Sequence, residues 1–375
     1  MYIDPFGVEI WMNAYETRCT YNLAETCVHS LTVSDLLSLT GRNDAALSDL
    51  LPIKLTYGAI PGSDRLRDAI ASALYETKTR DDILVTHGTA GANALVWQAL
   101  IGPGDRVVSL VPTYQQHVSI PEALGADVTR LPLCSKDWMP DLDALRAVAR
   151  GAKMIALTNP NNPTGAVIGA DMMAEIVAIA RAADAWLLVD EVYRGRLVPS
   201  VADLYEKGIA TCGMSKMFAL AGLRLGWVTG PADVLEAVSH HRDYTTISVG
   251  QVDDHLATLA LEACDRVLAR SHDILQANLA VLSAWVDREP RVTWVPPRAG
   301  TVALLRYDVD LPSEPFCRDL LSETGVLLTP GAVMGVEGTV RIGFGNTAEE
   351  LREGLPLISS FLDKKAGACR PTHQG

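Results

Sequence analysis

Lys216 and Arg224 stand eight residues apart in a glycine-bearing stretch, Ser215-Lys216-Met217 followed by Ala221-Gly222-Leu223-Arg224-Leu225-Gly226-Trp227. A desolvated amine loses its proton and attacks carbonyl carbon, whereas a guanidinium stays charged and grips phosphate with a planar fork. The pair suits a cofactor that needs an amine at one end and phosphate neutralisation at the other. Taken alone, the same spacing also describes two surface cations. Asp190 closes the apolar run that starts at Trp186, and a carboxylate at the carboxyl end of a buried strand sits where open α/β sheets bind ligands. Buried there it needs a cationic partner; the alternative is a cap for the segment Glu191-Val192-Tyr193. Thr158-Asn159-Pro160-Asn161-Asn162-Pro163-Thr164-Gly165 is turn-forming, with two of its prolines fixing an amide donor rigidly. Thr86-His87-Gly88-Thr89-Ala90-Gly91-Ala92-Asn93 reads as a strand, a small-residue turn and a helix start, whose free N–H groups bind phosphate. Tyr114 and His117 follow another strand, and Arg341 in Val340-Arg341-Ile342-Gly343-Phe344 could fork onto a carboxylate or pair on the surface.

These residues need a frame. Apolar runs rich in β-branched residues recur at Ile83–Thr86, Arg106–Val111, Val128–Leu133, Lys153–Thr158, Trp186–Asp190, Ile209–Cys212 and Leu225–Thr229. Helical patterns at Ala92–Leu100, Leu142–Ala149 and Met172–Ala182 lie between several of them. Runs that are apolar throughout, alternating with helices, predict a mainly parallel sheet covered on both faces. Beyond residue 252 come a long helical stretch to about Val286, strands Val302–Tyr307 and Thr339–Phe344, and helices near Glu314–Glu323 and Ala348–Leu362. The expected division is an N-terminal arm at substrate entry (1–45), a large domain (46–252), a small α+β domain (253–365) and a loose tail (366–375).

In order along roughly residues 50 to 350, these segments resemble the motifs of the class I/II aminotransferases, fold type I enzymes that use pyridoxal 5'-phosphate (PLP). The resemblance implies an α/β architecture: a large domain with a mainly parallel seven-stranded sheet, and a smaller α+β domain. Lys216 is implied as the Schiff-base lysine and as general base at the substrate Cα, with Asp190 paired to the pyridine nitrogen and Tyr193 to the ring hydroxyl. Asn162 bonds the ring oxygen and helps Arg341 hold the substrate carboxylate. Thr89, Ala90, Ser215 and Arg224 surround the phosphate, Tyr114 stacks on the ring, and His117 orients Asp190. Tyr57, in Tyr57-Gly58-Ala59-Ile60-Pro61-Gly62, matches a tyrosine that reaches the phosphate of the neighbouring subunit, so a homodimer with shared sites follows. The implied activity is transfer of an amino group between an L-amino acid and a 2-oxo acid.

Two places depart from the family pattern. Gly213 stands where many members carry a phosphate-binding hydroxyl, leaving Thr211 as a possible substitute. The segment Tyr21–Thr32, where ordinary members have a glycine-containing loop, together with His241–Ser248, looks more like capreomycidine synthase and related enzymes acting on arginine derivatives. Glu25 is then a candidate contact for a cationic side chain. The same residues would serve β-elimination, γ-replacement or cyclisation of a hydroxylated arginine, since all share a carbanion at Cα. A PLP-sensing regulator is disfavoured because no basic DNA-binding region precedes Tyr57, and a nicotinamide oxidoreductase because no strand runs into G-x-G-x-x-G.

The formal charge of −13 argues against nucleic acid as a partner, because that binding needs cations to neutralise phosphates. An odd number of widely spaced cysteines, seven, argues against a disulfide framework or zinc site. With neither a basic, apolar leader nor a membrane-length apolar run, the expected setting is the cytoplasm.

Overall fold

Strands that are apolar at every position, not every second one, need cover on both faces. A computed structural model describes residues 2–41 and 43–368 and shows how that cover is built. In chain order the strands are β1 (Tyr21–Asn22), β2 (Ile83–Thr86), β3 (Arg106–Val111), β4 (Asp127–Pro132), β5 (Met154–Thr158), β6 (Trp186–Asp190) and β7 (Gly208–Gly213). There follow β8 (Gly226–Thr229), β9 (Val292–Trp294), β10 (Val302–Tyr307), β11 (Val326–Leu327), β12 (Thr329–Pro330) and β13 (Thr339–Gly343). The large sheet has seven strands in the order β2-β8-β7-β6-β5-β3-β4, with β8 the single antiparallel member. Successive residues of one strand enter different cores: Ile155 and Leu157 of β5 pack in one cluster, Met154 and Ala156 in the other. Leu187 and Val189 of β6 likewise oppose Leu188. Each such aliphatic side chain, fully buried, stabilises the fold by about 1.5–3 kcal/mol.

A second sheet, β12-β13-β10-β9, is antiparallel and carries its own core, where Ala303, Leu305, Val340 and Ile342 meet Phe316 and Phe361. The N-terminal segment joins it through Trp11, Leu23, Ala24 and Val28, and β1 pairs in parallel with β11. Leu36, further along that segment, packs instead into the larger core, as do Leu256, Ala257, Ala260 and Leu261.

Most strand expectations fall within one residue of the observed bounds. The helical stretch expected to run unbroken to Val286 is two helices, Gln251–Glu262 and Cys264–Val286, because Ala263 leaves the helical basin at φ −103°, ψ 24°. Of the expected loose tail (366–375), residues 366–368 end the helix Ala348–Ala368, and 369–375 lie outside the described residues.

Two glycines bring the first turn of helix Gly88–Leu100 down onto the sheet. A Cβ at Gly226 would lie 2.5 Å from the Thr89 nitrogen, and one at Gly213 would lie 2.5 Å from Thr89 Oγ1. Only glycine permits that approach.

Candidate active site

The parallel strands β2, β3, β5, β6 and β7 end on one side of the sheet, and their following loops supply the chemistry-bearing side chains. Thr89, Ala90, Tyr114, Asn162, Asp190, Tyr193, Ser215, Lys216, Arg224 and Arg341 line one open cleft. Tyr57 is not brought there; it is 74% exposed.

Asp190 sits at the floor, buried. Asn93 Nδ2 donates to its Oδ2 at 2.9 Å, the Val192 N–H donates to Oδ1 at 3.1 Å, and His117 Nε2 lies 3.6 Å away. Thr211, which the sequence offered for the phosphate, instead donates to Asn93 Oδ1 at 2.6 Å, fixing the amide that holds Asp190. No Lys or Arg pairs with Asp190 among the described residues, so the carboxylate faces the cleft uncompensated by a fixed cation.

At the other end, Thr89 Oγ1 is buried without a hydrogen-bond partner beside the first-turn N–H groups of helix Gly88–Leu100. Arg224 comes so close that a Cβ on Gly88 would lie 3.0 Å from its Nη2, and its left-handed backbone (φ 49°) is the kind of strain kept at functional sites. Gly213 has no room for the hydroxyl-bearing side chain found in many members, since Thr89 Oγ1 occupies that space.

Lys216 stands between these ends. Its Nζ donates to Thr26 Oγ1 at 2.5 Å and approaches Cys27 Sγ at 3.5 Å. Burial disfavours the ammonium form, but Tyr193, Cys27 and Glu25 together outweigh it and hold the amine above its ordinary pKa. Arg341, 3% exposed, makes only long contacts, Nη1 to Asn162 Oδ1 at 3.2 Å and Nη2 to Thr329 Oγ1 at 3.3 Å, and its Nε has no partner. Burial pulls its pKa down, with Tyr193 and Glu25 opposing. A buried guanidinium with no carboxylate in ion-pair reach among the described residues is a site for an anion.

The chain's own residues therefore fit PLP: an anion cradle, an amine and a buried carboxylate in one cleft. Sequence reasoning expected the N-terminal arm at substrate entry and named Glu25, but missed the helix residues of the roof. Helix Gly7–Tyr15 lays Val8, Glu9 and Met12 over the cleft, with Glu16 just beyond it, and Thr26 and Cys27 come from the next loop. The spacing of Glu9 and Glu16, two helical turns, is the only local sign. Glu9 accepts from the Tyr114 hydroxyl at 3.2 Å, and burial with the neighbouring Glu25 and Glu9 raises the Glu16 pKa. Glu25 Oε1 accepts from the Thr26 and Cys27 N–H groups at 2.6 and 2.7 Å; burial raises its pKa, but Lys216 and these bonds hold it below the usual value.

Residues 53–358 match the family model described as aminotransferase class I and II. Among curated proteins, the capreomycidine synthase of Streptomyces vinaceus is 29% identical over 374 residues, spanning 97% of this chain and 95% of that protein. The aspartate aminotransferase of Thermotoga maritima is 26% identical over 317 residues, 81% and 82% of the two chains. Among solved structures, a PLP-dependent aminotransferase from Streptococcus suis aligns with a TM-score of 0.94 at 41% identity, covering 97% of this chain and 99% of that one. The PLP-dependent cyclase OrfR aligns with a TM-score of 0.89 at 28% identity, covering 97% and 98%. With the family's fold, its motifs in order and a cleft shaped for its cofactor, the chain belongs to the class I and II aminotransferases and uses pyridoxal 5'-phosphate.

Proposed function

We propose that the protein moves an amino group from an L-amino acid to a 2-oxo acid, as a homodimer whose large part (46–252) binds the cofactor and whose small part (253–365) and N-terminal arm close over the substrate. The observation that carries this reading is Arg341, a buried and unpaired cation sharing one cleft with Lys216 and Asp190. PLP, when bound, supplies an aldehyde that condenses with amines and a pyridine ring that takes up the electron pair left at Cα. Arg341 and Asn162 hold the incoming carboxylate, orienting the Cα–H bond toward Lys216. The Lys216 amine takes the Cα proton as general base and returns it at a neighbouring carbon. Asp190, held by the Asn93 amide and the Val192 N–H, is the carboxylate that would pair with the ring nitrogen. Thr89, Ser215 and Arg224 would hold the phosphate and Tyr193 the ring hydroxyl, and the exposed Tyr57 would serve the site of the other copy. Lys216→Ala is expected to abolish turnover, measured as keto acid formed per enzyme; turnover near the wild-type rate would reject the assignment.

A second reading, β-elimination or cyclisation of an arginine derivative, is favoured by the carboxylates at the cleft mouth. Glu9, Glu16 and Glu25 pair with no Lys or Arg within ion-pair distance among the described residues, and suit a guanidinium or ammonium side chain. The names of two similar proteins, capreomycidine synthase and a cyclase, agree with it. Mass analysis of products from arginine and its hydroxylated derivatives, with no acceptor present, separates the readings: one keto acid per site, with the nitrogen retained on the cofactor, supports transfer, whereas a cyclised product, or a keto acid with free ammonia over many turnovers, supports the second.

A further inference from the structure

We propose that Thr26 is a positioning residue for the Lys216 amine: its hydroxyl oxygen receives that amine whenever Lys216 is free of the cofactor. The inference rests on Lys216 being the cofactor lysine. A lysine side chain has about 2 kcal/mol of rotamer entropy, so a released amine stays at the reacting atoms only if something holds it. Nζ donates to Thr26 Oγ1 at 2.5 Å, with the Cys27 thiol a weaker neighbour at 3.5 Å.

Thr26 is itself held from several sides. Its N–H and that of Cys27 donate to Glu25 Oε1, and its carbonyl accepts from the buried Thr301 hydroxyl at 2.6 Å. The loop is also clamped to the strand that carries Arg341. The Gly343 N–H donates to the Leu23 carbonyl at 2.7 Å, and the His29 N–H to the Gly345 carbonyl at 2.8 Å. A Cβ on Gly343 would fall 1.7 Å from the Glu25 oxygen, and one on Gly345 2.5 Å from that of Cys27. The carboxylate clamp and the resting place of the base thus ride on one rigid unit, which fixes the distance between the two groups that must act on one substrate. The charged and titratable groups facing the amine are Tyr193, Cys27, Glu25 and Arg341. Thr26 adds a hydrogen bond among them without adding a charge, and so favours the ammonium form without competing for its proton.

The test compares Thr26→Val, Thr26→Ala and Thr26→Ser in the full-length protein. Borohydride reduction of each yellow holoenzyme and peptide mapping come first; cofactor fixed at another lysine would overturn the reading beneath this proposal. Each protein is then stripped of cofactor, and its rate of recombination with pyridoxal phosphate is followed against pH, the midpoint reporting the Lys216 amine. Loss of one hydrogen bond to a charged group corresponds to a fall of about one pH unit. Thr26→Val and Thr26→Ala are expected to show that fall and Thr26→Ser to keep the wild-type midpoint. Should the valine variant not fold, alanine against serine carries the comparison. Midpoints that stay together in all variants, or a serine variant shifted as far as alanine, would overturn the role of the hydroxyl.

Discussion

Replacing Arg341 with methionine separates a ligand-binding cation from a structural one. The guanidinium is 3% exposed, makes two contacts of 3.2 and 3.3 Å, and leaves Nε unpartnered. Withdrawing an ion from water costs several kcal/mol, and two hydrogen bonds from a charged donor return about 1.5–3 kcal/mol each. These terms nearly cancel, so Arg341→Met, which keeps most of the volume, is expected to change the unfolding free energy by less than about 1 kcal/mol. A buried arginine with a protein carboxylate partner would instead lose about 3–5 kcal/mol. The same change removes the partner of the substrate carboxylate, costing about 2–5 kcal/mol of binding, or roughly 30-fold to several-thousand-fold in kcat/KM. Denaturant unfolding and steady-state kinetics on one preparation give both numbers. The reasoning is refuted by a stability loss above 3 kcal/mol, or by kcat/KM within about threefold of wild type.

Three further outcomes are expected. Asp190→Asn removes the charge and, because an amide accepts on one side only, sets an NH2 against one of the two present donors, Asn93 Nδ2 or the Val192 N–H; kcat is expected to fall by about two to three orders of magnitude in steady-state assays. Gly213→Ser puts a Cβ 2.5 Å from Thr89 Oγ1, so cofactor titration by absorbance is expected to show PLP binding weakened at least about tenfold; unchanged affinity would contradict the crowding at that corner. Burial, with Glu25 adding and Lys216 opposing, pushes the Cys27 thiol up to about 11. At pH 8 only about one thiol in a thousand is then ionised, so iodoacetamide is expected to label exposed Cys134 and spare Cys27 by peptide mass mapping, with labelling of Cys27 rising above pH 10.

The elements that build the floor were legible because their physics is local. β5 and β6 are unbroken apolar runs ending in a polar residue, and such a run is readable wherever it stands. Asp190 ends β6, and Lys216, Arg224 and Asn162 lie in turns whose glycines and prolines mark them. Of the roof, only the arm as a whole and Glu25 were legible. Helix Gly7–Tyr15 is a short piece with Val8 and Trp11 as its buried residues, and only its packing on Leu328 and the second core turns Glu9 toward the cleft. Thr26 becomes chemically interesting because its neighbours Glu25 and Cys27 pack on Gly343 and Gly345, more than 300 residues away. Nor does the stretch Leu261-Glu262-Ala263-Cys264-Asp265 carry a glycine or proline to announce the break between its two helices. Thr211 was offered as a possible phosphate contact for a similar reason, since only the packing of helix Gly88–Leu100 on the sheet brings Asn93 to its hydroxyl.

The central claim, a PLP enzyme that transfers amino groups from this cleft, is tested most directly by one half-reaction. The yellow holoenzyme is mixed with single amino acids, arginine included, and no acceptor, while its absorbance and the released product are followed together. The expected result is loss of the aldehyde band with one keto acid formed per site, and recovery of that band on adding a 2-oxo acid. Continued turnover with the band intact, releasing ammonia or a cyclised product, would contradict transfer and assign the cleft to elimination or ring closure.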